Sequence, residues 1–178
     1  MTKRQTMIVD ASQDVRSGRT GIGIAIHETD RPGRNGPLTD QIGECYADIP
    51  PGRGEMFAVY RALEIGLDRG FTVLKIRSDY NQMRKALKER YEAGQGTNGR
   101  GLRGSVLRLA VHFDSVHFGY KPRRKNQMAH GLARQALREG PPLARPDLGD
   151  VWLWEIDEGE PAGAQDGDSA GASSPPVT

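Results

Sequence analysis

The stretch Gly21-Ile22-Gly23-Ile24-Ala25-Ile26-His27 sets Ile22, Ile24 and Ile26 on one side at a period of two, with Gly21 and Gly23 opposite. Such alternation is expected of a strand in an antiparallel sheet. It is the clearest strand in the chain, and its neighbours follow from it. Met7-Ile8-Val9 precedes it and a weaker run from Ile42 to Ile49 follows, the second connection being the loop Asp30 to Pro37. Three strands joined by short connections make a meander.

Pro50-Pro51-Gly52-Arg53-Gly54 breaks the pattern. Met56, Val59, Leu63 and Leu67 then recur at helical spacing, which predicts a helix from about Glu55 to Arg69. Phe71 to Ser78 reads as a strand and Tyr80 to Glu92 as a helix. Leu102, Val106, Leu109, Ala110 and Phe113 form the stripe of another helix, reached through a flexible basic loop at Gly94 to Gly101. Ser115 to Tyr120 is a fifth strand and Lys121 to Lys125 a basic turn. Ala129, Leu132, Ala133 and Ala136 mark a last helix, ended by Gly140-Pro141-Pro142. Strands separated by helical crossovers lie parallel. The expected fold is therefore α/β, a mixed five-stranded sheet with a three-strand antiparallel meander plus two parallel strands, flanked by helices. A site belongs at the switch point where the crossovers begin, beside the first strand.

Charge divides the chain. All 25 Lys and Arg lie in residues 1–145 with 15 of the 23 Asp and Glu, while residues 146–178 hold the other 8 acids and no base. A strongly basic body favours a polyanionic partner, with which an acidic tail competes. At 36% hydrophobic content one core is expected, over 1–145, followed by an acidic C-terminal extension at 146–178 that is mostly disordered, above all from about 157 onward. Val151 to Ile156 holds both tryptophans, Trp152 and Trp154; it docks on the body, binds a protein partner or stays exposed. Cys45 is the only cysteine, read as a small residue of a half-buried strand. It excludes an intramolecular disulfide and fits a reducing cytoplasm. No apolar run approaches the roughly 18 residues of a membrane span. A cytoplasmic monomer without membrane contact is expected.

Asp10 follows directly on an apolar run, where strands are depleted in Asp and burying an unpaired carboxylate is costly. Glu55, in Gly54-Glu55-Met56-Phe57-Ala58, and Asp79, in Arg77-Ser78-Asp79-Tyr80-Asn81, stand at two later element junctions. Taken alone, Glu55 suits a helix's first turn and Asp79 with Gln82 a capping box; Asp10 has no comparable structural reason. Three carboxylates converging from separate elements repel one another unless divalent cations neutralise them, which points to Mg2+ or Mn2+. Lys121, Arg123, Arg124 and Lys125 lie beside that site as candidates for phosphate binding. Asn126 suits a helix N-cap and joins the same candidate nucleic-acid surface.

Four blocks, in order and on the right elements, resemble type 1 ribonuclease H. They are Ile8-Val9-Asp10-Ala11-Ser12 with its following Gly-Ile-Gly-Ile strand, Gly54 to Leu63, Ile76-Arg77-Ser78-Asp79, and Pro122 to Ala133. The resemblance covers residues 6 to about 139. It implies hydrolysis of the RNA strand of RNA/DNA hybrids with two divalent ions: Asp10 bridging both, Glu55 binding one, Asp79 completing the first three ligands. The family's fourth carboxylate falls here on His130, a neutral ligand better suited to manganese than to magnesium. No histidine lies between Lys121 and Ala129, where several members place one, and a short Gly-rich loop replaces their basic extension. The resemblance also gives Ser12 and Asn81 contacts to sugar or phosphate oxygens. Two rivals stand beside the enzyme: a non-catalytic nucleic-acid-binding module with a metal site degraded at His130, and an adaptor acting through the tryptophan segment. The three acids favour the enzyme, because a pure binder gains nothing from negative charge facing phosphates.

Overall fold

The computed structural model describes residues 4–29, 35–94 and 101–152. β1 (Arg4–Asp14), β2 (Arg19–Glu28) and β3 (Leu38–Ala47) form the antiparallel meander. The chain continues through α1 (Gly54–Asp68), β4 (Val73–Ser78), α2 (Asn81–Glu92), α3 (Gly101–Ala110), β5 (Ser115–Tyr120) and α4 (Gln127–Glu139). β4 runs parallel to β1 and β5 parallel to β4, as helical crossovers require. The sheet is thus mixed and flanked by helices, as expected. Among the described residues it has six strands rather than five, in the order β5-β4-β1-β2-β3-β6. The addition, β6 (Pro142–Leu143), lies parallel to β3 at the meander's edge. Two residues, one of them proline, are too few to show alternation, and an edge is where proline is tolerated.

The two faces of the sheet are packed differently. Met7 and Val9 of β1, with Ile22, Ile24 and Ile26 of β2, face Phe57 and Leu63 of α1 and Leu102 and Val106 of α3 in the main core. On the other face a Cβ at Gly21 would stand 2.0 Å from the Ala133 carbonyl oxygen, and one at Gly23 2.0 Å from that of Ala129. The glycines opposite the isoleucines are therefore the seat of α4, whose backbone rests on the backbone of β2. Ala129, Ala133 and Ala136 are the small, buried residues that permit it.

The packed body extends past the expected boundary at 145 to Trp152. This side chain is buried in the main core, its ring 5.6 Å from Phe57 and its indole N–H donating to the Pro146 carbonyl at 3.2 Å. Of the three fates open to the tryptophan segment, Trp152 takes the first and docks. Trp154, the tail expected to be disordered and most of the Gly-rich loop lie outside the described residues. Cys45 is free and buried. Among the described residues no helix is long and apolar enough to cross a membrane.

Candidate active site

β1 is the switch strand, antiparallel to β2 on one side and parallel to β4 on the other. Its ladder with β4 ends at Ile8–Arg77, whereas that with β2 runs on to Asp14–Arg19. The C-terminal ends of β1 and β4 therefore part, and Glu55, in the first turn of α1, enters the fork. Its Oε1 accepts the Ala11 N–H at 3.2 Å and its Oε2 the Ser78 hydroxyl at 3.1 Å. The approach is close: a Cβ on Gly54 would lie 3.0 Å from that of Ala11.

Asp10 projects from the face that α4 covers and is only 3% exposed. Asn126 Nδ2 donates to the Val9 carbonyl at 3.2 Å and to Asp10 Oδ1 at 3.4 Å. One helical turn later, His130 Nδ1 lies 2.7 Å from Asp10 Oδ2, a hydrogen bond that lowers the Asp10 pKa and so has the ring N–H as donor. Asn126 holds the N-cap position of α4 but makes no side-chain cap bond. Its amide serves Asp10 instead.

Asp79 follows the last residue of β4. One oxygen each from Asp10, Glu55 and Asp79 lies within 4.8 Å of the others, the one such group among the described residues. His130 is not part of that set and touches it through Asp10. The N-cap position of α2 falls on Tyr80 rather than on Asp79, and the side chain of Gln82, the other half of the expected capping box, lies outside the described residues. Ser78, just before Asp79, is buried, and its oxygen accepts the Tyr80 N–H at 3.1 Å. Ser78 thereby ties the turn carrying Asp79 to Glu55, a role not anticipated from sequence although the residue adjoins Asp79.

Burial raises the Asp10 pKa, with the charge of Asp79 adding to it, against the lowering by the His130 hydrogen bond. Glu55 is pushed up to about 8 by burial and by the charges of Asp10 and Asp79, which the bonds from Ala11 and Ser78 only partly offset. Joint ionisation of the three acids is thus unfavourable until a cation joins them.

The basic turn stands at the same end of the sheet. Lys121 N–H donates to the Ser78 carbonyl at 2.9 Å, and Arg123–Lys125 form an exposed 3₁₀ turn. Arg123 is near enough to Asp10 to help ionise it. Ser12 lies two residues beyond Asp10, opposite Gly21 and half-buried, and Asn81 opens α2 in an exposed position.

A family model described as reverse transcriptase-like matches residues 9–136. The chain belongs to this family. The match begins beside Asp10 and ends in α4, so it spans the whole acid cluster of this reverse transcriptase-like chain and the helix that holds Asp10. No curated protein matches it by sequence. Among solved structures, RNase H1 from the halophilic archaeon Halobacterium salinarum is 22% identical, with 76% of this chain and 98% of that one covered and a TM-score of 0.61. The N-terminal RNase H domain of a Mycobacterium tuberculosis protein is 15% identical over 78% and 96% of the two chains, TM-score 0.62. LC11-RNase H1 in complex with an RNA/DNA hybrid is 20% identical over 75% and 96%, TM-score 0.55. At these identities the likeness establishes a ribonuclease H-like fold.

Proposed function

We propose that the chain is a divalent-metal-dependent endonuclease that hydrolyses the RNA strand of RNA/DNA hybrids. The observation that carries this reading is the meeting of Asp10, Glu55 and Asp79, from three elements, within 4.8 Å. The site suits hard cations: its donors are carboxyl oxygens, burial and mutual repulsion raise the pKa of Asp10 and Glu55 so that a cation favours their ionisation, and the buried Asn126 Oδ1 beside Asp10 has no donor among the described residues. Mg2+ or Mn2+ fits such a set, and two ions is the number the ribonuclease H resemblance implies. When bound, the metal would supply an activated water and stabilise the oxygen leaving phosphorus.

What the chain's own residues contribute is orientation and phosphate binding. His130 and Asn126 hold both Asp10 oxygens in place from α4, so His130 acts as a positioning residue. The Ala11 N–H and Ser78 hydroxyl aim Glu55 into the fork. Lys121, Arg123, Arg124 and Lys125 take backbone phosphates and set the register of the bound hybrid. Ser12 and Asn81, short and polar, suit the 2′-hydroxyl side of a shallow minor groove.

The test is incubation of purified protein with a labelled RNA/DNA hybrid, duplex RNA and duplex DNA, each with Mg2+, with Mn2+ and with a chelator. Internal cleavage of the hybrid's RNA strand only with metal is expected. Hybrid that is bound yet intact at saturating metal would replace this reading with a binding module.

A further inference from the structure

On the face where α4 lies over β1, β2 and β3, strands β4 and β5 present Lys75, Arg77 and His117. Their neighbours Leu74, Ile76, Val116 and Phe118 alternate into the core on the other side. The register sets Lys75 beside His117 and Arg77 beside Gly119. A Cβ on Gly119 would lie 3.3 Å from Arg77 Cγ, so the glycine leaves room for the Arg77 stem. Both strands are parallel and point to the acid cluster, and Lys121 continues the row at that end. Lys75 and Arg77 are spaced by about 6.6 Å, two steps of strand rise.

The row is of one sign. Burial is the main cause that holds Lys75, Lys121 and His117 below their ordinary pKa values, and neighbouring cations add to it: Arg77 at Lys75, Arg77 and Lys125 at Lys121, and Lys75, Lys88 and Arg77 at His117. Glu92, near His117, is the one acid among these influences. Arg77 donates to the neutral Asn35 Oδ1 at 3.2 Å. Cations set together in this way repel one another in the free protein, and a bound polyanion relieves the repulsion.

We infer that Lys75, Arg77 and Lys121, flanked by His117, form a second nucleic-acid contact that carries the phosphates of a single strand continuing from the hybrid held at the acid cluster. A single chain is indicated because the row is only two strands wide, about 5 Å between them, with α4 standing beside it. The placement of the hybrid rests on the ribonuclease reading above.

Binding is measured in chelator, over a salt series, for a blunt hybrid and for the same hybrid with a single-stranded extension at either end. For the wild type, an extension at one end tightens binding several-fold. Lys75→Gln with Arg77→Gln abolishes that gain and makes the salt dependence for the extended substrate shallower by about 1.4, the value for two single-strand phosphate contacts. Blunt-hybrid binding and its cleavage with metal stay unchanged. Because Arg77 also holds Asn35, Lys75→Glu alone is the second variant, expected to lose most of the gain. An extension gain that survives in both variants overturns the inference, as does equal weakening of blunt and extended hybrids. Failure of the wild type to cleave blunt hybrid with metal rejects only the nuclease reading, since the extension gain is read without metal.

Discussion

Asp10 and Glu55 are withdrawn from water on two sides of the same stretch of β1, yet they are held by different kinds of partner. Asp10 receives side-chain donors from α4, Asn126 and His130. Glu55 receives a backbone N–H and a serine hydroxyl in the fork between β1 and β4 and faces the charges of Asp10 and Asp79. Only Glu55 is driven as far as about 8. The α4 flank therefore fixes geometry, and the α1 flank holds a carboxyl that resists ionising until an external cation neutralises it.

The sharpest way to break that division is to remove the carboxylate shared by both flanks. Asp10→Asn keeps the shape and a hydrogen-bonding amide but loses the charge, and metal-dependent cleavage should fall at least about a thousandfold, equivalent to about 4 kcal/mol on the barrier. Turnover near wild type at saturating metal would show that the cluster is not the catalytic centre.

Next in size is the seat of α4. Gly23→Ala drives a methyl to 2.0 Å from the Ala129 carbonyl oxygen, which helix and strand backbones cannot both accommodate. A loss of about 3 kcal/mol is expected in denaturant unfolding, with a drop in activity as His130 and Asn126 withdraw from Asp10. Unchanged stability would mean that α4 does not rest on β2 as described.

The charge on the α1 flank can be read from the pH dependence of the metal-free protein. The Glu55 carboxyl has an ordinary pKa near 4.5 in the unfolded chain, and burial in the fold, with the charges of Asp10 and Asp79, pushes it up to about 8. Between those values the native state holds a proton that the unfolded chain has released. Stability in chelator should then fall as pH rises from about 4.5 to 8, by up to about 1.4 kcal/mol per pH unit. Glu55→Gln should flatten the profile, and added Mg2+ or Mn2+ should restore wild-type stability at high pH. Melting temperatures that are flat across this window in chelator would contradict the burial of an uncompensated acid.

The smallest effect is expected at the junction of the flanks. His130→Asp exchanges a donor for a fourth anion, so the metal-free protein should melt lower while the Mg2+ concentration giving half-maximal cleavage drops several-fold. An unchanged Mg2+ requirement would place residue 130 outside the influence of the metal site.

Much of this arrangement was legible locally. The isoleucines of β2 announce a strand because alternation is a property of adjacent residues, and Asp10 stands out because its apolar neighbours make a carboxylate incongruous. Glu55 and Asp79 were legible as members of a set, though each also had an ordinary helical explanation. Other assignments needed contacts that no short window contains. Asn126 read as a cap, since the alternative use of its amide lies 116 residues away at Asp10. Ser78 gave no signal because a serine before a turn is commonplace. Trp152 had three plausible fates until Phe57 supplied its partner.

The sequence by itself determined the order and type of the main elements, the mixed sheet and the acids worth watching, because periodicity and polarity are set by residues close in the chain. Only the tertiary structure decided that Gly21 and Gly23 seat α4, that His130 reaches Asp10 across 120 residues, and that Lys75 and Arg77 lie on the sheet face beside it. Those facts depend on how closely two backbones can approach, a quantity fixed by the packing of distant elements and by nothing local to either one.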